Sequence, residues 1–123
     1  MTLQFYKVLH VLGVAFLFTA IGALLLAARA GVQSGVSRKT AGMTHGVALL
    51  LILFSGFGAL AKYALSNPMT WPAWVWLKFL IWLILGGIVV AFRKAPQSST
   101  LLWWILPLLG ALAAYLALYK PAF

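Results

Sequence analysis

The sequence predicts an all-α fold: four transmembrane helices in an up-down bundle, forming a single integral membrane domain over residues 1–123. Of its 123 residues, 65% are hydrophobic and 7% are charged, whereas soluble domains carry about 25% charged residues. The apolar residues form four runs, each close to the ~20 residues that a helix needs to cross the hydrocarbon core. The connections are short, so consecutive helices are expected to be antiparallel neighbours.

The four runs define the predicted helices. Their approximate bounds are 5–28, 43–65, 74–92 and 101–119. The segments between them, 31–40, 66–72 and 93–99, contain the Gly, Ser, Asn and Pro residues that are typical of loops. The first run is longer than the apolar part of a signal peptide, and no positive charge precedes Lys7, so we expect a retained helix.

Basic residues predict the orientation of the helices. Five of them lie in or beside the first and third connections, and three lie at the opposite ends of the helices. The two groups are Arg29, Arg38, Lys39, Arg93 and Lys94 on one side, and Lys7, Lys62 and Lys120 on the other. The positive-inside rule therefore predicts that the first and third connections face the cytoplasm and that both termini lie outside.

The chain contains no Asp, Glu or Cys, and this excludes many kinds of chemistry. Paired-carboxylate catalysis, a Ser-His-Asp triad, carboxylate-bound Ca²⁺ or Mg²⁺ and thiolate metal sites all lack their side chains. Basic residues between apolar runs are expected to meet lipid head groups, not nucleic acid. We therefore expect the lipid bilayer as a partner and favour a protein that is not an enzyme, with no metal site of these kinds.

Lys78 lies inside an apolar run, between Trp74 and Trp82. An ionisable residue at membrane depth marks a functional site by default. Because the chain has no carboxylate, Lys78 is expected to reach the interface, to be uncharged, or to meet an anion from outside the chain. The ordinary interpretation is that it binds lipid phosphate at the membrane surface.

Counting along the helices at about 1.5 Å per residue places His10, Lys78 and Tyr115 in one layer, roughly 6 Å below the outer surface. His45 falls in the opposite leaflet, about 20 Å from His10 along the membrane normal, so the two imidazoles are not expected to ligate one haem. A site for haem b or another tetrapyrrole pigment at His10, with Lys78 and Tyr115 nearby, stays open, as does a contact at His45. Alternatively, each His hydrogen-bonds a neighbouring helix.

Small residues recur on one face of each helix, for example in Ser55-Gly56-Phe57-Gly58-Ala59. Membrane helices pack through such residues because lipid provides no hydrophobic drive between them. These faces predict packing within the bundle or, for one of them, docking of another subunit.

The segment Tyr6-Lys-Val-Leu-His10-Val-Leu-Gly13 resembles the first-helix pattern K-x-L-H-x-x-G/A of small four-helix bacterial membrane proteins. That set includes copper-resistance-D-type proteins and the HemJ-type protoporphyrinogen oxidases. Trp76-Leu77-Lys78-Phe79-Leu80 is similar to their later Lys before an apolar run. The resemblance implies a bacterial inner membrane and a haem-linked role for His10 and Lys78. The chain differs from these oxidases in its missing acids, and residues 45–58 and 118–123 look more like a small bacterial family of unknown activity.

Three functions fit these observations. The favoured one is a non-catalytic subunit or stabiliser of a larger membrane complex, with a haem or pigment contact left open. The alternatives are a haem- or porphyrin-handling protein of the oxidase-like type and a carrier of a small solute or lipid. The expected protein partners are other membrane subunits or further copies of the chain.

Overall fold

The computed structural model describes residues 2–31, 35–66 and 73–119, and it confirms the predicted all-α class. Within these residues it contains four α-helices and no strand; the helices are α1 (Leu3–Arg29), α2 (Val36–Ser66), α3 (Ala73–Lys94) and α4 (Ser99–Tyr119). Each helix is long and apolar enough to cross a membrane. The protein is therefore a small multi-pass membrane protein, and the outside location of its termini stays a prediction.

Local signals explain where α1 begins and ends. Thr2 caps its start, because the backbone N–H of Phe5 donates to Thr2 Oγ1 at 3.1 Å. Gly31 follows its end in the left-handed conformation, with φ +75°, which is the usual way for a helix to stop at a glycine. A second left-handed glycine, Gly35 at φ +117°, directly precedes α2.

The second helix begins at Val36 rather than at about residue 43, so part of the predicted polar loop is helical. Its first turn is closed by a hydrogen bond from the Lys39 N–H to the Gly35 carbonyl at 3.0 Å. Arg38 and Lys39 are good helix formers, and a helix that extends beyond the hydrocarbon core accepts charged residues there. The predicted turn was 66–72; Ser66 is the last residue of α2, and 67–72 lie outside the described residues.

The chain divides into two compact units. Unit 1 comprises Met1–Leu24 and Ser34–Met69, and therefore most of α1 together with α2. Unit 2 comprises Leu25–Gln33 and Thr70–Phe123, and therefore the last residues of α1 together with α3 and α4.

In unit 1, α1 and α2 meet along a line of contacts that we call the α1–α2 seam. Three contacts define the seam: Tyr6 with Gly58, His10 with Ser55, and Gly13 with Ile52. Residue numbers rise along α1 as they fall along α2, so the two helices are antiparallel. The buried residues of α2 recur every three or four positions, at Ala41, His45, Ala48, Ile52 and Ser55. That spacing keeps them on one face of the helix.

In unit 2, α3 and α4 pack against each other. The segment that joins them is a short 3₁₀ turn at Pro96–Ser98. The buried residues are Ile81, Leu85 and Phe92 on α3, and Ser99, Leu106 and Leu116 on α4. Near the start of α3, Leu77 and Ile81 line the same groove as Leu112 and Leu116 near the end of α4. This pair of helices is therefore also antiparallel.

We expect Gly58→Ala to destabilise unit 1. A Cβ on Gly58 would overlap the Tyr6 ring, at 2.7 Å from Cζ and closer still to Cδ1 and Cε1. Overpacking of this kind typically costs about 1–3 kcal/mol, and unfolding in mixed micelles measures it. Gly46→Ala on the same helix is the matched control, since nothing lies within 4 Å of its Cβ position. Equal stability of the two variants would contradict the close approach at Gly58.

Candidate functional site

The site begins with His10, which the first helix directs into the α1–α2 seam. His10 lies seven residues before Leu17 and fourteen before Leu24, two of the most buried residues of α1, so all three share one helix face. The imidazole is half-buried. Its Nδ1 lies 3.1 Å from the Oγ of Ser55 on α2. Helical periodicity thus turns the imidazole of His10 on α1 toward a polar residue of α2.

The hydrogen bonds of Ser55 determine which partner donates. Ser55 is fully buried, and its Oγ lies 2.7 Å from the carbonyl oxygen of Leu51 and 3.2 Å from that of Ile52. A hydroxyl has one proton to donate, and the carbonyl oxygens can only accept it. Ser55 therefore accepts a hydrogen bond from the Nδ1–H of His10. In the neutral ring this assigns the proton to Nδ1 and the basic lone pair to Nε2.

Two glycines of α2 make room for the side chains on either side of this bond. A Cβ built on Gly56 would lie 3.3 Å from Cε1 of His10 and 3.6 Å from its Nδ1, so the imidazole lies directly against the backbone of α2. One turn earlier on α1, the Tyr6 ring lies against Gly58. Any larger residue at either position must move a ring, so Gly56 and Gly58 fix how His10 approaches Ser55.

His45 is a separate site within unit 1. It is more buried than His10, at 7% exposure, and lies on the same face of α2 as Ser55. His10 meets α2 at Ser55, and ten residues separate Ser55 from His45, which is about 15 Å along the helix. Two ligands on opposite sides of one metal ion are about 4 Å apart. The two imidazoles therefore cannot bind one haem iron together in this arrangement.

Lys78 lies on the buried face of α3. It is half-buried, and it precedes the buried residues Ile81 and Leu85 by three and seven positions, so helical periodicity places it on their face. Lys78 therefore does not lie on the exposed face of α3. Whether Lys78 holds a ligand stays a prediction.

Tyr115 lies on α4 at half exposure, with its ring 4.9 Å from that of Tyr119. It borders an apolar groove of about 330 Å³ between α3 and α4. The groove is lined by Leu77, Leu80, Ile81, Ile84, Leu109, Leu112, Tyr115 and Leu116. Lys78 is adjacent in sequence to Leu77 and shares a helix face with Ile81, and both of these neighbours line the groove together with Tyr115. His10 belongs to unit 1, and a shared layer of all three residues stays a prediction.

The partner of His10, Ser55, was not predicted from the sequence. There, Ser55 is one small residue in the Ser55-Gly56-Phe57-Gly58 run. The signal is present, because Ser55 follows Ile52, Ala48 and His45 at intervals of three and four positions. A serine that shares the apolar face of a membrane helix needs a hydrogen-bond partner, and an antiparallel neighbour brings His10 within reach.

The chain was compared with protein-family models, with curated proteins and with solved structures, and none of them matches it.

We expect nitrogen NMR of the folded protein in micelles to show a neutral His10 imidazole protonated at Nδ1. The cause is the Ser55 hydroxyl, whose proton is directed to the Leu51 carbonyl. Ser55→Ala removes the acceptor, so the preference for the Nδ1–H form should fall and stability should drop by about 0.6 kcal/mol, the average for such bonds between membrane helices. His10→Asn identifies the resonances. A His10 ring protonated only at Nε2 would contradict the assignment.

Proposed function

We propose that the protein is a non-catalytic component of a larger bacterial inner-membrane complex, in which His10 contacts a haem or a related metal tetrapyrrole. The observation that carries the proposal is the 3.1 Å contact between Nδ1 of His10 and Oγ of the fully buried Ser55. The four apolar helices establish a small integral membrane protein, and this contact supports a ligand role for His10 within it.

The His10–Ser55 pair has the chemistry of an oriented metal ligand. A ligating His almost always donates its other ring N–H to a fixed acceptor, which sets the tautomer and makes the ligating nitrogen more basic. Here Ser55 is that acceptor, and its proton is in turn held by the Leu51 carbonyl. The imidazole is thereby oriented with Nε2 as its basic nitrogen. A bound haem would supply electron transfer, while the chain itself would hold and orient the group.

The side chains of the protein support a holding role over a catalytic one. The chain has no carboxylate or thiol, so proton transfer would depend on His, Tyr and Lys. His10 is oriented by the Ser55 hydroxyl, whose own proton is donated to the Leu51 carbonyl. This hydrogen bonding fixes the orientation of the imidazole but offers no carboxylate to accept a proton from it. Such an arrangement suits a metal ligand that does not transfer protons.

A second pair of glycines supports assembly with another helix. Gly42 and Gly46 lie one turn apart on α2, both are exposed, and nothing lies within 4 Å of either Cβ position. Gly56 and Gly58 on the same helix are occupied by His10 and Tyr6. A small-xxx-small pair lets another membrane helix approach closely. We infer that the Gly42–Gly46 pair is a contact for a partner subunit.

The two alternative functions depend on unit 2. A porphyrin-handling role rests on the resemblance that assigns Lys78 a part beside His10. A carrier role would use the apolar groove, whose lining is hydrocarbon together with the ring of Tyr115. Lys78→Met separates the first alternative from the proposal, since Met keeps the length and removes the charge.

We expect the protein purified from its native host in mild detergent to show a Soret band that His10→Ala abolishes. Ser55→Ala should weaken the retention of the chromophore 10- to 100-fold, the usual effect of losing the residue that orients a ligand. His45→Ala is the matched control and should retain the band, because His45 lies about 15 Å from the His10 level. A colourless wild-type protein would refute the haem contact, and loss of the band in Lys78→Met would favour the porphyrin-handling alternative.

We expect Gly42→Leu with Gly46→Leu to release co-purifying subunits from the same preparation. The two leucines would keep another helix from approaching α2 while leaving the α1–α2 seam intact. Gly87→Leu is the control, because Gly87 on α3 is also exposed with nothing within 4 Å of its Cβ position. Partners that stay bound to the double variant, or that leave Gly87→Leu equally, would contradict this docking face.

A further inference from the structure

The turn between α3 and α4 carries four exposed polar side chains, which we call the turn patch. Arg93 and Lys94 form the last turn of α3, Gln97 lies in the 3₁₀ turn, and Thr100 is in the first turn of α4. All four are exposed and all can donate hydrogen bonds. Two full positive charges are therefore concentrated at one end of unit 2 within eight residues of sequence.

Hydrogen bonds within the turn hold its backbone in place. The hydroxyl of Ser98 donates to the carbonyl of Ala95, and that of Ser99 donates to the carbonyl of Pro96, each at 2.7 Å. The Ala95 N–H donates to the Ala91 carbonyl at 2.8 Å. The serine protons are thus used by the turn itself, and the four residues of the turn patch remain as the donors that face outward on a fixed frame.

The exposed apolar residues that follow the turn patch indicate that it lies at the membrane surface. Leu101 and Trp104, in the first two turns of α4, are 63% and 69% exposed. Trp is enriched at the boundary between head groups and hydrocarbon. We therefore expect the cations and the Gln97 amide at head-group level, with the indole of Trp104 and the side chain of Leu101 toward the hydrocarbon.

We propose that the turn patch binds the head-group phosphate of an anionic phospholipid, with an acyl chain lying along Leu101 and Trp104. Arg93 is suited to paired hydrogen bonds with phosphate oxygens, and Lys94 supplies a second charge. No Asp or Glu side chain in the chain competes for these cations, and the bilayer supplies phosphate at the membrane surface. The inference is independent of His10 and of any haem.

The test compares lipid binding by wild-type protein, Arg93→Gln, Lys94→Gln and the double variant. Full-length protein in a neutral detergent is titrated with phosphatidylglycerol or phosphatidylcholine, and bound lipid is counted by native mass spectrometry. Each lost charge should weaken phosphatidylglycerol binding about fivefold, the double variant about 25-fold, and raised salt should reduce the wild-type preference. Lys7→Gln is the control, since Lys7 is an exposed cation on α1 in unit 1, and it should bind as the wild type does.

Three outcomes would overturn the proposal. The first is equal binding of phosphatidylglycerol and phosphatidylcholine by the wild type. The second is an equal loss in Lys7→Gln, which would indicate a general effect of charge. The third is competition by inorganic phosphate at the same concentration as the lipid, which would indicate a free-anion site. Unchanged helix content by circular dichroism ensures that weaker binding reflects the lost charge and not unfolding.

Discussion

The close approach of α1 and α2 is the constraint on which the candidate site depends. Lipid gives helices no hydrophobic reason to associate, so short backbone separation and interhelical hydrogen bonds must hold them. Gly13, Gly56 and Gly58 allow this approach, because a Cβ at any of them would press on a side chain of the other helix. The same approach brings His10 within 3.1 Å of Ser55. Packing and site chemistry are therefore consequences of one feature.

Ser55 converts that packing into a defined chemical state. A buried serine hydroxyl in a membrane helix can bond its own backbone, and here it does so at Leu51. That choice leaves the oxygen as an acceptor for His10 and assigns the imidazole proton to Nδ1. The contact with Ser55 uses Nδ1 of His10, and the proposed ligand role uses Nε2.

The sequence was sufficient to predict the four helices but not how His10 is held. Long apolar runs and short connections identify membrane helices because the bilayer admits few other structures. The helix α2 begins at Val36, earlier than the predicted start near residue 43, because the Gly and Ser residues of 31–40 indicated a loop although a helix can continue past the hydrocarbon core. The partner of His10 depends on the register of two helices, and composition carries no information on register. The position of Lys78 on the buried face of α3 follows from its spacing to Ile81 and Leu85. It could not be predicted from the sequence, because it depends on the burial of those two residues.

The missing carboxylates connect the two proposals. The cationic side chains of this chain have no Asp or Glu partner within it, and in a bilayer lipid phosphate or a group on a partner molecule can take that place. At the α3–α4 turn the exposed cations are close in sequence to an exposed Trp, and the proposed lipid head group would supply their anion. Within the helices a full charge is costly, and in the α1–α2 seam the imidazole of His10 meets the hydroxyl of Ser55. The missing acidic side chains thus leave lipid phosphate as the proposed partner of the turn patch and a hydroxyl as the partner of His10, while a ligand at Lys78 inside α3 stays a prediction.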